Sequence, residues 1–210
     1  EYLIPGNQQY KPTHLTIEGD FSQMAFFATA GLIGADIHCL GMSKNSLQPD
    51  QKYLDFVEKM KGHFTWSNSE IIFHRSETAG TSIDVSQSPD IAPILAVLGA
   101  LSSGTTIIEN AARLKYKESN RLSSTYETLK KMNIDVEMTD SSLVIKGKPT
   151  IDGGTFDSYN DHRIVMAIAI AAIRSNHPII IKNAEAVNKS YPTFFHDYQN
   201  LGGNVTIIEE

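Results

Sequence analysis

The chain has 210 residues, of which 41% are hydrophobic and 20% are charged, and its net charge at pH 7 is -6. The acidic balance excludes a general nucleic-acid surface, whose affinity comes from neutralising phosphates. No apolar run approaches the roughly 18 residues that a membrane span needs, and a single cysteine cannot form a disulfide framework. The composition therefore predicts a globular protein of the cytoplasm that binds neither nucleic acid nor membrane.

The first 14 residues are polar and contain Pro5, Gly6 and Pro12, a composition typical of a linker. The sequence does not begin with Met and opens in mid-pattern, so we expect it to be a piece of a longer chain. We interpret residues 1–14 as a linker from a further, N-terminal domain, and residues 15–210 as one folded domain.

Within that domain the same order of pieces recurs three times, in residues 15–75, 82–147 and 155–208. Each copy combines a strand, an Ala-rich helix, a β-branched strand, an amphipathic helix and a closing strand. In the first copy these elements are predicted at Leu15–Glu18, Gln23–Ile33, Asp36–Leu40, Gln51–Lys61 and Glu70–His74.

The second and third copies repeat this pattern, and each of the three copies has room for one extra strand in a longer loop. In the second copy the elements are predicted at Ser82–Val85, Asp90–Ser103, Thr105–Glu109, from near Glu118 to Asn133, and Ser142–Lys146. In the third copy, the elements after an opening strand near Phe156 are predicted at Asp161–Ser175, Pro178–Lys182, Pro192–Leu201 and Asn204–Ile208.

The first helix of each copy is apolar nearly all round, as in residues 164–171, and such a helix has no solvent face. The second helix has a polar face and should lie outside. We therefore predict an α+β fold, a pseudo-threefold repeat of β-α-β-α-β(-β) units with sheets around buried helices. Because every copy runs from strand to buried helix in the same sense, the helix starts should collect at one end, where dipoles and free N–H groups favour anions.

Unusual charges fall where a repeat enters a helix. They are Asp90, Lys117, Glu118, Arg121, Asp161, His162, Arg163 and Lys189. Arg121 is predicted one turn into its helix, where a cation opposes the dipole unless an anion lies nearby, and Glu118 at i-3 can share that end. Arg163 enters an almost wholly apolar helix and offers planar recognition of carboxylate or phosphate. Asp90, in cationic surroundings, can accept a proton from a hydroxyl.

Each of these residues also has a simpler interpretation. Asp90 and Asp161 can serve only as helix caps, His162 as a core histidine with satisfied hydrogen bonds, and Lys189 as a surface residue. The run from Arg113 to Arg121 can be a solvated charged loop. No Cys/His spacing indicates zinc, and no Gly-rich phosphate loop or serine elbow is present, so we expect no metal site.

Two runs, Lys115–Arg121 and Tyr159–Arg163, resemble the motifs of the 5-enolpyruvylshikimate-3-phosphate synthase family, also called 3-phosphoshikimate 1-carboxyvinyltransferase. Supporting matches are Glu18–Gln23, Gly41–Gln48, Pro89–Asp90 and Lys189–Pro192. The resemblance covers nearly all of this chain but only about the C-terminal half of a family member. It implies the enolpyruvyl transferase fold, an inside-out α/β barrel, in which two similar domains close on substrates. The sequence departs from the family at Asn120, where Asp is more usual, and at Arg113, where some members carry Asn.

The resemblance also implies a reaction. The family transfers the enolpyruvyl group of phosphoenolpyruvate to the 5-hydroxyl of shikimate 3-phosphate, releases phosphate, and uses no metal or organic cofactor. Asp90 would accept the proton of the attacking hydroxyl, and Glu118 would donate a proton to the methylene carbon. Phosphoenolpyruvate would be held by Arg121, Arg163 and Lys189, and shikimate 3-phosphate by Lys117 and Asp90. His162 would be a neighbour of the site, and the isolated half is expected to be an inactive monomer.

Two other hypotheses remain open from the sequence. The related UDP-N-acetylglucosamine enolpyruvyl transferase shares the fold, but does not carry Lys117–Arg121 together with Asp161–Arg163 in this form. A scaffold module built on the same repeats, binding RNA as the RNA 3'-phosphate cyclases do, belongs to a different class. The acidic balance and the lack of interleaved aromatic and basic residues argue against it.

Overall fold

The computed structural model describes residues 1–208. The first repeat begins at the capping residue Asp20, whose side chain accepts hydrogen bonds from the backbone N–H groups of Ser22 and Gln23. Its elements are α1 (Phe21–Ile33), β1 (Ile37–Leu40), α2 (Tyr53–Lys59), β2 (His63–Ser67) and β3 (Glu70–His74). A short 3-10 helix, Pro49–Lys52, leads into α2.

The second repeat is the most complete of the three. Its elements are β4 (Ser82–Asp84), α3 (Ala92–Ala100), β5 (Thr105–Glu109), α4 (Arg121–Lys131), β6 (Asp135–Met138) and β7 (Leu143–Lys146). A 3-10 turn at Pro89–Ile91 precedes α3. The third repeat consists of β8 (Gly154–Asp157), α5 (His162–Ala171), β9 (Ile179–Lys182) and α6 (Phe194–Asn200).

Three sheets surround a bundle of buried helices. The strand orders are β1-β3-β2, β4-β5-β7-β6 and β8-β9, with β4 parallel to β5, β8 parallel to β9 and the other pairs antiparallel. Helices α1, α3 and α5 pack on one another, and α3 and α5 are buried along their whole length. By contrast, α4 exposes Glu127, Lys130 and Lys131 on its outer side. The predicted α+β fold is confirmed, although the sheets do not close into a barrel.

Two predicted strands are wrong. Leu15–Glu18 and Asn204–Ile208 form no strand, and Leu15, Ile17 and Ile207 are largely exposed. A strand gains its hydrogen bonds only from a neighbour. In the described chain β1 pairs with β3 alone and β9 with β8 alone, so neither apolar segment is drawn into a ladder.

Residues 1–14 form no helix or strand and lie exposed. None of the helices in residues 1–208 is both long and apolar enough to cross a bilayer.

The starts of the helices converge, as the shared direction of the repeats predicts. At the start of α1, Ser22 Oγ donates to Asp50 Oδ2, and next to Asp50 the carbonyl of Pro49 accepts a hydrogen bond from Ser88 Oγ at 3.0 Å. Ser88 immediately precedes the turn that leads into α3. This end of the molecule also carries the charged side chains of the candidate active site.

Candidate active site

Helix α4 begins later than its sequence pattern predicts. Asn120 has a non-helical backbone conformation, and its side chain accepts a hydrogen bond from Ser123 N at 3.3 Å, which caps the helix. Arg121 is therefore the first helical residue, and Glu118 lies in the loop before it rather than on the same helix. The two side chains still meet, since the Arg121 Nη2 to Glu118 Oε2 distance is 2.5 Å.

The guanidinium of Arg121 joins three carboxylates from three segments of the chain. Its Nε donates to Asp161 Oδ2 at 2.8 Å, and its Nη1 donates to Asp90 Oδ1 at 2.8 Å. Its Nη2 donates to Glu118 Oε2 and, at 3.2 Å, to Asp161 Oδ1. Arg121 and Asp161 are both fully buried. Arg121 thus connects the starts of α3, α4 and α5.

Asp90 is the centre of the cationic group. Besides Arg121 it contacts Lys117, whose Nζ lies 3.0 Å from Oδ1, and Arg163, whose Nη2 lies 3.9 Å from Oδ2. Burial by itself raises the pKa of Asp90, but the charges of Arg163, Lys117 and Arg121 outweigh it, so the pKa lies below its ordinary value. Asp90 is therefore an ionised carboxylate that remains one-third exposed.

Two donors of Arg163 have no acceptor in the part of the chain that the structure describes. Its side chain is only 10% exposed, yet Nε and Nη1 are buried without a hydrogen-bond partner among the described residues. Burial and the charge of Arg121 lower its pKa, Asp90 partly opposes them, and a guanidinium remains protonated in proteins. Because unpaired buried donors are costly, this arrangement favours an anion beside Arg163.

His162 is a neighbour of the cluster rather than a member of it. Its Nδ1 is buried without a partner among residues 1–208 and lies 4.0 Å from Asp161 Oδ1. Burial, followed by the charge of Arg163, lowers the pKa of His162. The imidazole is therefore neutral at pH 7.

Lys189 lies next to these charged side chains and contacts their segment of the chain through Asn160. Its Nζ donates to the carbonyl oxygen of Asn160 at 2.5 Å and to Oδ1 of the same residue at 2.8 Å. Asn160 directly precedes Asp161, so Lys189 lies beside the cluster and remains exposed. The structure thus joins Asp90, Lys117, Glu118, Arg121 and Arg163 by direct contacts, and places His162 and Lys189 next to them.

Sequence reasoning noted Asp161 among the charges at the helix starts but gave it no role beyond a helix cap, and it did not single out Asp50. Asp161 is the predicted cap of α5, and it does accept from Arg163 N at 2.9 Å, but it also binds Arg121. Burial raises the pKa of Asp161, but the hydrogen bonds and the charge of Arg121 lower it by more. The pKa of Asp161 therefore lies below its ordinary value. Asp50, buried beside Ser22, has a pKa that burial raises. The position of Asp161 directly before an apolar helix was the available signal, whereas nothing in the sequence distinguished Asp50.

The cluster lies on an open rim and not in a closed cavity. The side chains of Lys117, Asp90 and Glu118 are 24%, 34% and 43% exposed. A cavity of about 350 Å³ lies elsewhere, between β1 and the third repeat, lined by Ile37, Cys39, Tyr191 and other residues outside the cluster. In the described part of the chain no three His, Cys, Asp or Glu side chains come together as a metal site.

A sequence model of EPSP synthase (3-phosphoshikimate 1-carboxyvinyltransferase) matches residues 1–198. The chain belongs to the EPSP synthase family. It is 46% identical over 210 residues to the 3-phosphoshikimate 1-carboxyvinyltransferase of Clostridium novyi, covering 100% of this chain and 48% of that protein. It is 43% identical over 205 residues to the enzyme of the same name from Clostridium kluyveri, covering 98% and 48%.

Solved structures of similar fold support this family assignment. EPSP synthase from Acinetobacter baumannii superposes with a TM-score of 0.85 at 27% identity, covering 92% of this chain and 48% of that structure. The enolpyruvyl transferase NikO from Streptomyces tendae has a TM-score of 0.73 at 19% identity, covering 90% and 44%, and supports the fold alone. This chain spans about half the length of the EPSP synthases it matches.

Proposed function

We propose that this chain forms one side of the active site of an enolpyruvyl transferase of the shikimate pathway, which leads to the aromatic amino acids. The enolpyruvyl group of phosphoenolpyruvate would pass to the 5-hydroxyl of shikimate 3-phosphate, with release of phosphate. Membership of the EPSP synthase family supports this reaction. The proposal depends most on one observation: the buried Nε and Nη1 of Arg163 have no acceptor among the described residues.

Phosphoenolpyruvate is the proposed partner of these free donors. Its carboxylate and phosphate are planar or multivalent acceptors of the kind that guanidinium groups recognise. Arg163 would make the principal contact, and Lys189 would add charge from the rim. Arg121 already uses four N–H groups on Asp90, Glu118 and Asp161. It would therefore reach the substrate with its remaining Nη1 hydrogen or by releasing one carboxylate.

The two partly exposed acids are suited to moving the protons of the reaction. Asp90 is ionised, so it can accept the proton of the substrate hydroxyl as that oxygen bonds to the central carbon of phosphoenolpyruvate. Glu118, in its protonated form, would donate a proton to the methylene carbon, which gives a tetrahedral intermediate with a methyl group. Phosphate would then leave with its bonding electrons, and the Glu118 carboxylate would take a proton back from the methyl group, which restores the double bond. Arg121 contacts both acids and would hold them in a fixed relation. No bond between enzyme and substrate is needed.

The second substrate and the rest of the protein complete the proposal. Lys117, together with Asp90, would contact shikimate 3-phosphate. The remaining ligands of both polyanions would come from another domain, connected through residues 1–14. The whole enzyme would work in the cytoplasm as a monomer, without metal or organic cofactor.

The proposal is tested by titrating the chain with phosphoenolpyruvate while following the backbone amide signals of Arg121 and Arg163 by NMR. Pyruvate, which lacks the phosphate, is the matched control ligand. We expect saturable shifts with phosphoenolpyruvate and much weaker ones with pyruvate. Amide signals that do not move at high phosphoenolpyruvate would favour a scaffold module instead. Turnover by the isolated chain near that of a complete family member would contradict the proposed division of the site.

A further inference from the structure

The turn that leads into α5 has an unfavourable backbone. Tyr159 and Asn160 both adopt the left-handed conformation, with φ angles of 52° and 53°. This region is uncommon for residues with a side chain, and a bulky aromatic residue is disfavoured there more than Asn. The next residue is Asp161, which caps α5 and binds Arg121. Strain of this kind persists only where surrounding contacts hold it.

Local contacts within the turn supply part of that support. Tyr159 N donates to Asp157 Oδ1 at 2.6 Å, and Asn160 N donates to Ser158 Oγ at 3.1 Å. Asp161 N donates to the carbonyl of Ser158 at 3.0 Å. These bonds fix the shape of the turn but do not attach it to the rest of the site.

A second contact attaches the turn to α4. The hydroxyl of Tyr159 donates to Glu127 Oε2 at 2.7 Å. Glu127 lies six residues after Arg121, about 9 Å further along the same helix. Asp161 therefore contacts the first residue of α4, and Tyr159 contacts its outer face. Burial and the carboxylate of Glu127 raise the pKa of Tyr159, so the hydroxyl keeps its proton and remains the donor.

We propose that Tyr159 and Glu127 are positioning residues, whose hydrogen bond holds the left-handed turn against α4 and thereby sets the places of Asp161 and Arg163. The Tyr159 hydroxyl and the Glu127 carboxylate bond to each other and take no part in the ion pairs of Asp90 with Arg121 and Arg163. Loss of the bond would release Tyr159 from the outer face of α4 and let it relax toward ordinary backbone angles, while Lys189 still holds Asn160 and Arg121 still holds Asp161. The hydrogen bond between Arg163 N and Asp161 Oδ1 would then open more often. The guanidinium of Arg163 would be held less firmly in its position at the site.

The test compares Tyr159→Phe with Tyr126→Phe by amide hydrogen exchange. Tyr126 is the residue before Glu127 on the same helix, and its hydroxyl has no hydrogen-bond partner among the contacts of residues 1–208. We expect the Arg163 amide to exchange about tenfold faster in Tyr159→Phe, as loss of a hydrogen bond to a charged group implies, and to be unchanged in Tyr126→Phe. Equal exchange in the two variants would overturn the proposal. A uniform increase at all amides, including those of β5, would also overturn it.

Variants of Glu127 separate positioning from mere packing. Glu127→Gln keeps an acceptor for the Tyr159 hydroxyl and should keep slow exchange at Arg163, whereas Glu127→Leu should match Tyr159→Phe. In the double variant Tyr159→Phe/Glu127→Leu the exchange rate should equal that of either single variant, since both remove one bond. Additive effects would show that the two residues act separately and would refute the proposal.

Only the ligand measurement rests on the proposed function. If Arg163 binds phosphoenolpyruvate, the affinity of the chain for phosphoenolpyruvate should fall in Tyr159→Phe and Glu127→Leu. It should not fall in Glu127→Gln or Tyr126→Phe. Unchanged affinity in Tyr159→Phe would count against positioning. If the unaltered chain fails to bind phosphoenolpyruvate while exchange at Arg163 follows the expected pattern, the proposed function fails and the positioning role stands.

Discussion

Arg121 and Asp161 form a fully buried ion pair held by two hydrogen bonds, from Nε to Oδ2 at 2.8 Å and from Nη2 to Oδ1 at 3.2 Å. The pair joins the first residue of α4 to the cap of α5, elements of two different repeats. Two buried charges are stable together only while each compensates the other. The buried pair that stabilises the fold therefore also positions Arg121 against Asp90 and Glu118.

Replacing Arg121 with Met should strongly destabilise the protein. The substitution leaves Asp161 buried without its partner and removes a contact from Asp90 and Glu118, and breaking a buried pair costs about 3–5 kcal/mol. Urea unfolding of the variant measures the loss. As the control, Lys146→Met breaks the exposed pair between Lys146 and Asp135 and should change stability little. Similar losses in both variants would contradict this account of Arg121.

The stabilising effect of Asp161 should disappear in acid. The pKa of Asp161 in the folded protein lies below its ordinary value, so its contribution is present above about pH 4, the ordinary pKa of Asp, and is lost as the pH falls through the folded pKa. The stability difference between the unaltered protein and Asp161→Asn should therefore be constant near neutrality and shrink below about pH 4. A difference that grows in acid would refute the shift.

Asp50 should show the opposite trend. Burial raises the pKa of Asp50 in the folded protein, so the ionised form of Asp50 opposes folding. The contribution of protonated Asp50 to the stability of the fold is present at low pH and is lost as the pH rises through the folded pKa. Relative to the unaltered protein, Asp50→Asn should become progressively more stable as the pH rises from 3 to 7, because the amide cannot ionise. Urea unfolding over that range decides the point. A gap that is constant with pH would show that the carboxyl is not destabilised by burial.

Arg163 should matter more for binding than for folding. Its Nε and Nη1 have no acceptor among residues 1–208, so Arg163→Met removes few stabilising hydrogen bonds, but it should weaken phosphoenolpyruvate binding about tenfold or more. The control is Arg174→Met, which removes a guanidinium beyond the other end of α5 and should leave binding intact. Calorimetric titration and thermal unfolding provide the two measurements. A large loss of stability with unchanged affinity would reverse the assignment.

The imidazole of His162 should titrate below the ordinary histidine pKa of about 6.5. Burial and the nearby Arg163 lower its pKa, while Asp161 raises it. NMR titration of the ring should give a midpoint below that ordinary value, and Asp161→Asn should lower it further. A midpoint at or above the ordinary value would contradict the downward shift of the His162 pKa.

Much of the site was predictable from short-range patterns. The runs Lys115–Arg121 and Tyr159–Arg163 carry the family motifs, and Arg163 is conspicuous because it enters a helix that is otherwise apolar. The periods of apolar residues also located the buried helices to within a few residues. These features were readable because a helix and its cap depend on residues close in sequence.

What each charge binds depended on residues far apart in the chain. Asp161 looked like a cap and is one, yet its other partner, Arg121, lies 40 residues earlier. Leu15–Glu18 and Asn204–Ile208 have the composition of strands, but a strand also needs a neighbouring edge to pair with. Local sequence therefore determined the repeats, the buried helices and the candidate residues. Only the packing of distant segments determined that Arg121 turns inward to three carboxylates, and that Nε and Nη1 of Arg163 have no acceptor among residues 1–208.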